Sequence, residues 1–237
     1  MNDISLSDSS LKKIYWIGGT VCMILIAYSL ITMLLLTILG PPPKTVEECY
    51  AMLNENRITG LLRLDILTLF ILPLYYALFF SLFLALKKTD YGLVTLSTII
   101  VFAGLTLILA TPSVLSLLDL SDKFNNSTSD IQKNQFLAAG ESILASDIWH
   151  GTGARIGGLL LQSGAVMISV IMLRSNIFNK VTAITGILTH GFDLLHIIIG
   201  FFLPAIAVIL MAIAGTFYLL WFPLVGVRLF KMRHLNN

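Results

Sequence analysis

Apolar residues run in six long blocks along this chain, separated by short polar segments, and no strand-like alternation competes with them. About 20 apolar residues at roughly 1.5 Å each cross a hydrocarbon core of about 30 Å. The blocks therefore predict membrane helices over residues 14–39, 60–86, 91–118, 148–173, 181–200 and 205–227. The last two are separated at Gly200 and Pro204, because the uncharged stretch between His196 and Arg228 is too long for one ordinary span. Pro73, Pro112 and Pro223 fall inside the second, third and sixth helices as candidate kinks. The first block outruns a secretory h-region and ends in Gly40-Pro41-Pro42-Pro43-Lys44 without a cleavage pattern, so it is expected to stay attached.

Residues 40–59 and 119–147 form the two longer connections. In the second, Ser129-Asp130-Ile131-Gln132 has the spacing of a helix capping box. It predicts either a helix lying on the membrane surface or a helical extension of the fourth span. Asn125 and Asn126 satisfy the glycosylation acceptor pattern, a match too frequent by chance to carry weight. Gly18-Gly19 and Gly157-Gly158 offer small surfaces for close helix contact.

Composition fixes the class: 57% hydrophobic, 12% charged and a mean hydropathy of +0.89 describe an all-α integral membrane protein, a single-domain six-helix bundle. Its partners are membrane lipids. A net charge of +2 with no basic stripe excludes a nucleic-acid surface. Cys22 and Cys49 lie at different depths and form neither a disulfide framework nor a zinc spacing. With the N-terminus inside, nine of the fifteen basic residues fall on inner segments: Lys12, Lys13, Lys87, Lys88, Arg174, Lys180, Arg228, Lys231 and Arg233. Both termini are expected in the cytoplasm.

Against this apolar background stand Arg63, Asp65, Asp147, His150, Arg155, His190, Asp193 and His196, in the outer halves of the second, fourth and fifth helices. Ionisable groups at that depth are costly unless they meet one another or water. Arg63 is free to snorkel to the headgroups. Asp147 and His150 are three apart on one predicted face, and Arg155 lies deeper and needs an anion, for which Asp193 is the first choice. His190, Asp193 and His196 fan over about 120° of the fifth helix. The eight side chains are thus expected to share one polar cavity, which stabilises the bundle or binds a small polar or lipid-headgroup ligand.

Two other chemistries fit the same residues. His150, His190 and His196 with Asp193 or Asp147 offer ligands for zinc, and a metal-bound water in a lipid-accessible cavity would hydrolyse an ester or amide. No His-Glu-x-x-His is present, and the His-x-x-x-His of the seven-helix ceramidase and adiponectin-receptor hydrolases is also missing. Ser142 and Ser146 precede Asp147 and His150, but no nucleophile elbow accompanies them. Histidines titrating near neutrality suit a proton-coupled transporter, although no inverted repeat is evident.

Leu62-Arg63-Leu64, His150 with Gly153, Ser175, and Trp221-Phe222-Pro223-Leu224-Val225-Gly226 before a basic residue occur in an order and spacing that resemble a bacterial multi-pass membrane family, domain of unknown function 4386. The resemblance spans Asn56 to Arg228 and implies a six-helix bundle in a bacterial plasma membrane, with no assigned activity. Arg63 and His150 carry over. The chain departs from the family at Ala214-Gly215-Thr216 and at Leu69, where members commonly carry Gly-Glu-Leu and Asp.

Overall fold

The structure, a computed structural model, describes residues 8–234. Every regular element among them is an α-helix: α1 Asp8–Leu39, α2 Val46–Glu55, α3 Arg57–Arg63, α4 Ile66–Ile71, α5 Leu74–Leu86, α6 Tyr91–Leu109, α7 Val114–Asn126, α8 Asp130–Ser146, α9 Thr152–Arg174, α10 Lys180–Ile199 and α11 Pro204–His234. Among the described residues six segments are long and apolar enough to cross a membrane: Ser9–Leu39, Ile66–Leu86, Tyr91–Asn126, Thr152–Arg174, Lys180–Ile199 and Pro204–Arg233. This is a multi-pass integral membrane protein. Large side chains left uncovered on these segments, such as Leu34, Ile38, Phe70, Val208 and Ile209, are those a lipid environment would accept.

Three expected boundaries move. The second helix, read as continuous over 60–86, is broken twice. Asp65 adopts the left-handed region at φ 59°, ψ 46° between α3 and α4, and Leu72-Pro73 interrupts the chain again before α5. Pro73 has no N–H to give and crowds the preceding turn. The third helix stops at Leu109, because Pro112 biases Thr111 away from the helical region, and Ser113 then caps α7 by accepting from Leu115 N. The fourth begins at Thr152, not at residue 148, since Asp147 closes a turn first. The turn between α10 and α11 falls between Gly200 and Pro204, as the sequence predicts. Pro223 lies within an unbroken α11.

The described residues form two compact units. The first takes the chain through Ala27, Pro73–Leu105 and everything from Gly158 on. Glycines let its helices approach closely. A side chain at Gly18 would meet Ser81 and Leu229, at Gly19 Phe230, at Gly158 Ile197, and at Gly226 Cys22 and Met23. Ser81 ties the same contact by donating to Ile14 O at 3.0 Å.

The second unit, Tyr28–Leu72 and Thr106–Gly157, holds a helical cap built from both long connections. Val46, Cys49, Tyr50 and Leu117 are its buried centre, with Leu64, Leu120, Phe124, Leu137, Ile143 and Leu144 packed around them. Gly140 of α8 lies against Val46 and Tyr50, where any side chain would collide. The Tyr50 hydroxyl donates to Phe136 O at 2.9 Å. Ser121 Oγ donates to Tyr50 O at 3.5 Å, and Arg57 pairs with Asp122 at 2.5 Å. So α8 is not a continuous extension of the fourth span, from which residues 147–151 separate it; Leu137, Ile143 and Leu144 pack on this small core while Ile131 stays exposed. The expected capping box at Ser129 does not form. Ser129 makes no side-chain cap, and Gln132 instead accepts from the Ser127 hydroxyl at 3.1 Å.

Two measurements test these features. A non-glycine residue at positive φ costs of order 1–2 kcal/mol, which glycine avoids. Asp65→Gly should therefore melt higher in detergent than Asp65→Ala, by about 1 kcal/mol, the reverse of their order inside a helix. An alanine variant as stable as the glycine variant would refute the left-handed break. In the cap, burial and the nearby carboxylates of Glu48, Glu141 and Asp147 push the Cys49 thiol up to about 11, and burial pushes the Tyr50 phenol up to about 12. Both favour the neutral form in the folded state, so their stabilisation is complete below the ordinary thiol value of 9.0 and is lost as pH rises towards 11. In a Cys22→Ala background Cys49 should resist alkylation at pH 8 and become accessible above pH 10, the cap loosening in step. Labelling at pH 8 as fast as in unfolded protein would contradict this.

Candidate functional site

The eight polar residues picked out along the sequence divide between the two units. Arg63, Asp65, Asp147, His150 and Arg155 belong to the second; His190, Asp193 and His196 belong to the first. The expected pair Arg155 and Asp193 therefore joins residues of different units. Each has neighbours within its own.

In the first unit, three helices bring polar side chains together near their midpoints. His190 lies ten residues into α10 and Gln162 ten residues into α9, roughly 15 Å from either start. Tyr218 is fourteen residues into α11. That is the middle of a span. Gln162 Nε2 donates to Asp193 Oδ2 at 2.6 Å, and its Oε1 lies 2.8 Å from His190 Nδ1. The Tyr218 hydroxyl donates to Asp193 Oδ2 at 3.0 Å and stands 3.2 Å from Gln162 Nε2 and 3.4 Å from His190 Nδ1.

The chemistry of these atoms fixes their roles. An amide oxygen only accepts, so His190 Nδ1 is the nitrogen carrying hydrogen. In a neutral ring Nε2 is then a bare lone pair. This atom is buried and has no hydrogen-bond partner, in a residue only 1% exposed. Aromatic rings enclose it: Trp221 meets the imidazole edge-on with centroids 4.6 Å apart, Tyr218 at 5.5 Å, and Phe79 at 6.3 Å. Trp221 reaches its place because Gly186, one turn before His190, presents no side chain to its indole nitrogen. That Trp221 Nε1 is buried without a partner too.

His196, expected in the same constellation, turns elsewhere: its Nδ1 lies 3.0 Å from Ala207 O on α11. It fastens the α10–α11 hairpin near its tip.

In the second unit the remaining candidates hold local structure. Asp65 Oδ2 accepts from Thr68 Oγ1 at 2.5 Å, and that hydroxyl in turn accepts from the Tyr28 phenol at 2.5 Å. Arg63 reaches the Pro41 carbonyl at 2.5 Å, beside Gly40, whose φ of +81° turns the chain out of α1. Its Nε is buried with no partner. Asp147 Oδ1 accepts from the backbone N–H of Trp149 and of His150 and from His150 Nδ1, each at 2.9 Å. Asp147 and His150 therefore do meet, but in a turn, not on a helix face. The His150 side chain is 63% exposed. Arg155 Nε donates to His150 O at 3.1 Å and so straps the same turn.

Among the described residues no three His, Cys, Asp or Glu side chains group so as to hold a metal ion. The three imidazoles have different Nδ1 partners, Asp147, Gln162 and the Ala207 carbonyl. These side chains thus assemble no zinc centre among the described residues.

Gln162, Tyr218, Tyr28 and Thr68 were not singled out from the sequence, and Trp221 entered only through the Trp221-to-Gly226 motif, not as a site residue. A lone glutamine in an apolar span is a usable signal, since an amide at that depth must bond across to another helix. Tyrosine, tryptophan and threonine are too common in membrane helices to stand out by type. Comparison with models of protein families, with curated proteins and with solved structures gives no match.

Proposed function

We propose that this membrane protein binds a small polar ligand near the middle of the bilayer, at the open Nε2 of His190, and that the site is linked to protons through Asp193. The observation that carries this reading is the fully buried imidazole with one nitrogen committed to Gln162 and the other without a partner. Leaving a buried acceptor unmet costs about 1–3 kcal/mol, and a ligand hydroxyl, amide or ammonium hydrogen supplies what is missing.

Gln162 makes the site sensitive to protonation. A carboxylate at Asp193 can only accept, which holds the amide nitrogen towards it and the amide oxygen towards His190. A carboxylic acid there has a hydrogen to give. It can donate to the amide oxygen once the amide turns over, and the amide then presents N–H to His190 Nδ1. The ring's hydrogen must in that case sit on Nε2, converting the ligand-facing acceptor into a donor. Protonation at Asp193 and binding of a hydrogen-donating ligand at His190 are thereby opposed, which is the coupling a carrier exchanging solute for protons requires.

The same contacts also join α9, α10 and α11, and a purely structural role is the competing reading. Interhelical hydrogen bonds in membranes contribute about 0.6 kcal/mol on average. His190→Asn separates the two, because the asparagine amide can replace the Nδ1 donor but leaves nothing at Nε2. A structural network predicts a variant unchanged in every respect. A ligand site predicts a folded variant, within about 1 kcal/mol of the parent, that has lost pH-dependent solute uptake in proteoliposomes. Nitrogen-15 spectra of histidine-labelled protein, with His190 assigned by its absence from the Asn variant, should show a protonated Nδ1 and a pyridine-type Nε2 at neutral pH. The opposite tautomer would sink the proposal.

A further inference from the structure

At the end of the first unit that carries the α9–α10 turn, a cleft of about 490 Å³ opens between that turn and the last turns of α11. Asn176, Phe178 and Asn179 line one side; Pro223, Arg228 and Lys231 line the other. No carboxylate lines it, so its two charged residues give it an uncompensated positive field. Arg228 Nε is buried and has no hydrogen-bond partner, although the guanidinium is the group in this cleft most costly to leave unmet. The cleft also lies beside the start of α10, where Asn179 caps Thr182 N, and the first backbone N–H groups of a helix favour a neighbouring anion. Its remaining surface, Phe178, Pro223, Leu224 and Val227, is apolar.

We infer that this cleft binds a phosphate-bearing anion, and that the apolar surface beside the cations suits the phosphate of an anionic membrane lipid, with an acyl chain along Leu224 and Val227. Arg228 supplies a planar fork matched to phosphate oxygens, and Lys231 adds a second charge from the exposed rim. Five of the nine basic residues assigned to inner segments, Arg174, Lys180, Arg228, Lys231 and Arg233, lie on or next to the helix ends that form this face, where negative leaflet potential attracts cations. This inference does not depend on the His190 site.

The test uses the full-length protein in neutral detergent, titrated separately with phosphatidylglycerol, phosphatidylcholine and inorganic phosphate, with thermal unfolding and native mass spectrometry as readouts. Phosphatidylglycerol should bind and raise the melting temperature where phosphatidylcholine does not. Arg228→Gln and Lys231→Gln should each weaken it by about fivefold, and the double variant by more than tenfold. Lys231 is exposed, so its variant reports binding with little effect on folding, and Arg228→Lys, which keeps the charge but loses the fork, should bind more tightly than Arg228→Gln and more weakly than the parent. Equal protection by inorganic phosphate would assign the site to a free phosphate anion and support the shared chemistry. Equal binding of the two lipids, or phosphatidylglycerol affinity unchanged in Lys231→Gln and the double variant, would overturn the inference.

Discussion

A polar side chain in the middle of a membrane span must find its hydrogen-bond partner on another helix, because hydrocarbon offers none. In the first unit this constraint converges on Gln162. Its amide is the one group among the four that both gives and accepts in fixed, opposite directions. It can therefore join an acid, Asp193, to a base, His190, that lie on one face of α10 three residues apart. Tyr218 closes the arrangement from α11, since a hydroxyl can serve either neighbour. Remove the glutamine and the acid and the imidazole are left to share the single hydroxyl of Tyr218. The position of α9 against α10 is in this sense dictated by one side chain.

The second unit meets the same demand by different means. At the margins of the spans the chain can break its helices, and each break is held by a charged or acidic side chain. Asp65 stabilises a left-handed residue through Thr68 and Tyr28; Asp147 gathers two backbone N–H groups and an imidazole; Arg63 takes the carbonyl that Pro41 exposes. These groups satisfy backbone that would otherwise face the membrane boundary unpaired. Their chemistry is absorbed by local structure. Arg63 leaves its Nε unmet at such a break, whereas in the first unit the unmet atom of His190 lies in the middle of a span.

The spans were legible because length and apolarity alone decide them, and the α10–α11 turn because Gly200 and Pro204 punctuate an otherwise unbroken run. Pro112 was legible as a kink within the third span but not as the end of α6, and nothing around Asp65 foretold a left-handed residue, since its conformation is held by Tyr28, thirty-seven positions away. The cap was hidden for a related reason. Cys49, Tyr50 and Leu117 look like stray apolar residues in loops until three short helices bring them together. Of the candidate site, His190 and Asp193 were visible as charges out of place. Their partners Gln162 and Tyr218 were not, because neither carries a charge and the rotation of α9 and α11 about their axes cannot be read from an apolar sequence with little amphipathic signal.

A network that served only to fasten helices would gain by being complete, because each unmet atom in a low-dielectric interior subtracts from the stability the others supply. Here the incompleteness is local. An acceptor at His190 Nε2 and a donor at Trp221 Nε1 are both unmet, on rings that touch at right angles, while the nitrogen facing Gln162 is bonded. Replacing His190 with an apolar residue of similar size would remove the cost at Nε2 outright, and the surrounding Phe79, Trp221 and Phe222 already form a packed aromatic wall suited to receive one. Retaining an imidazole there, oriented by an acid two hydrogen bonds away, makes physical sense if the free nitrogen is the part that is used.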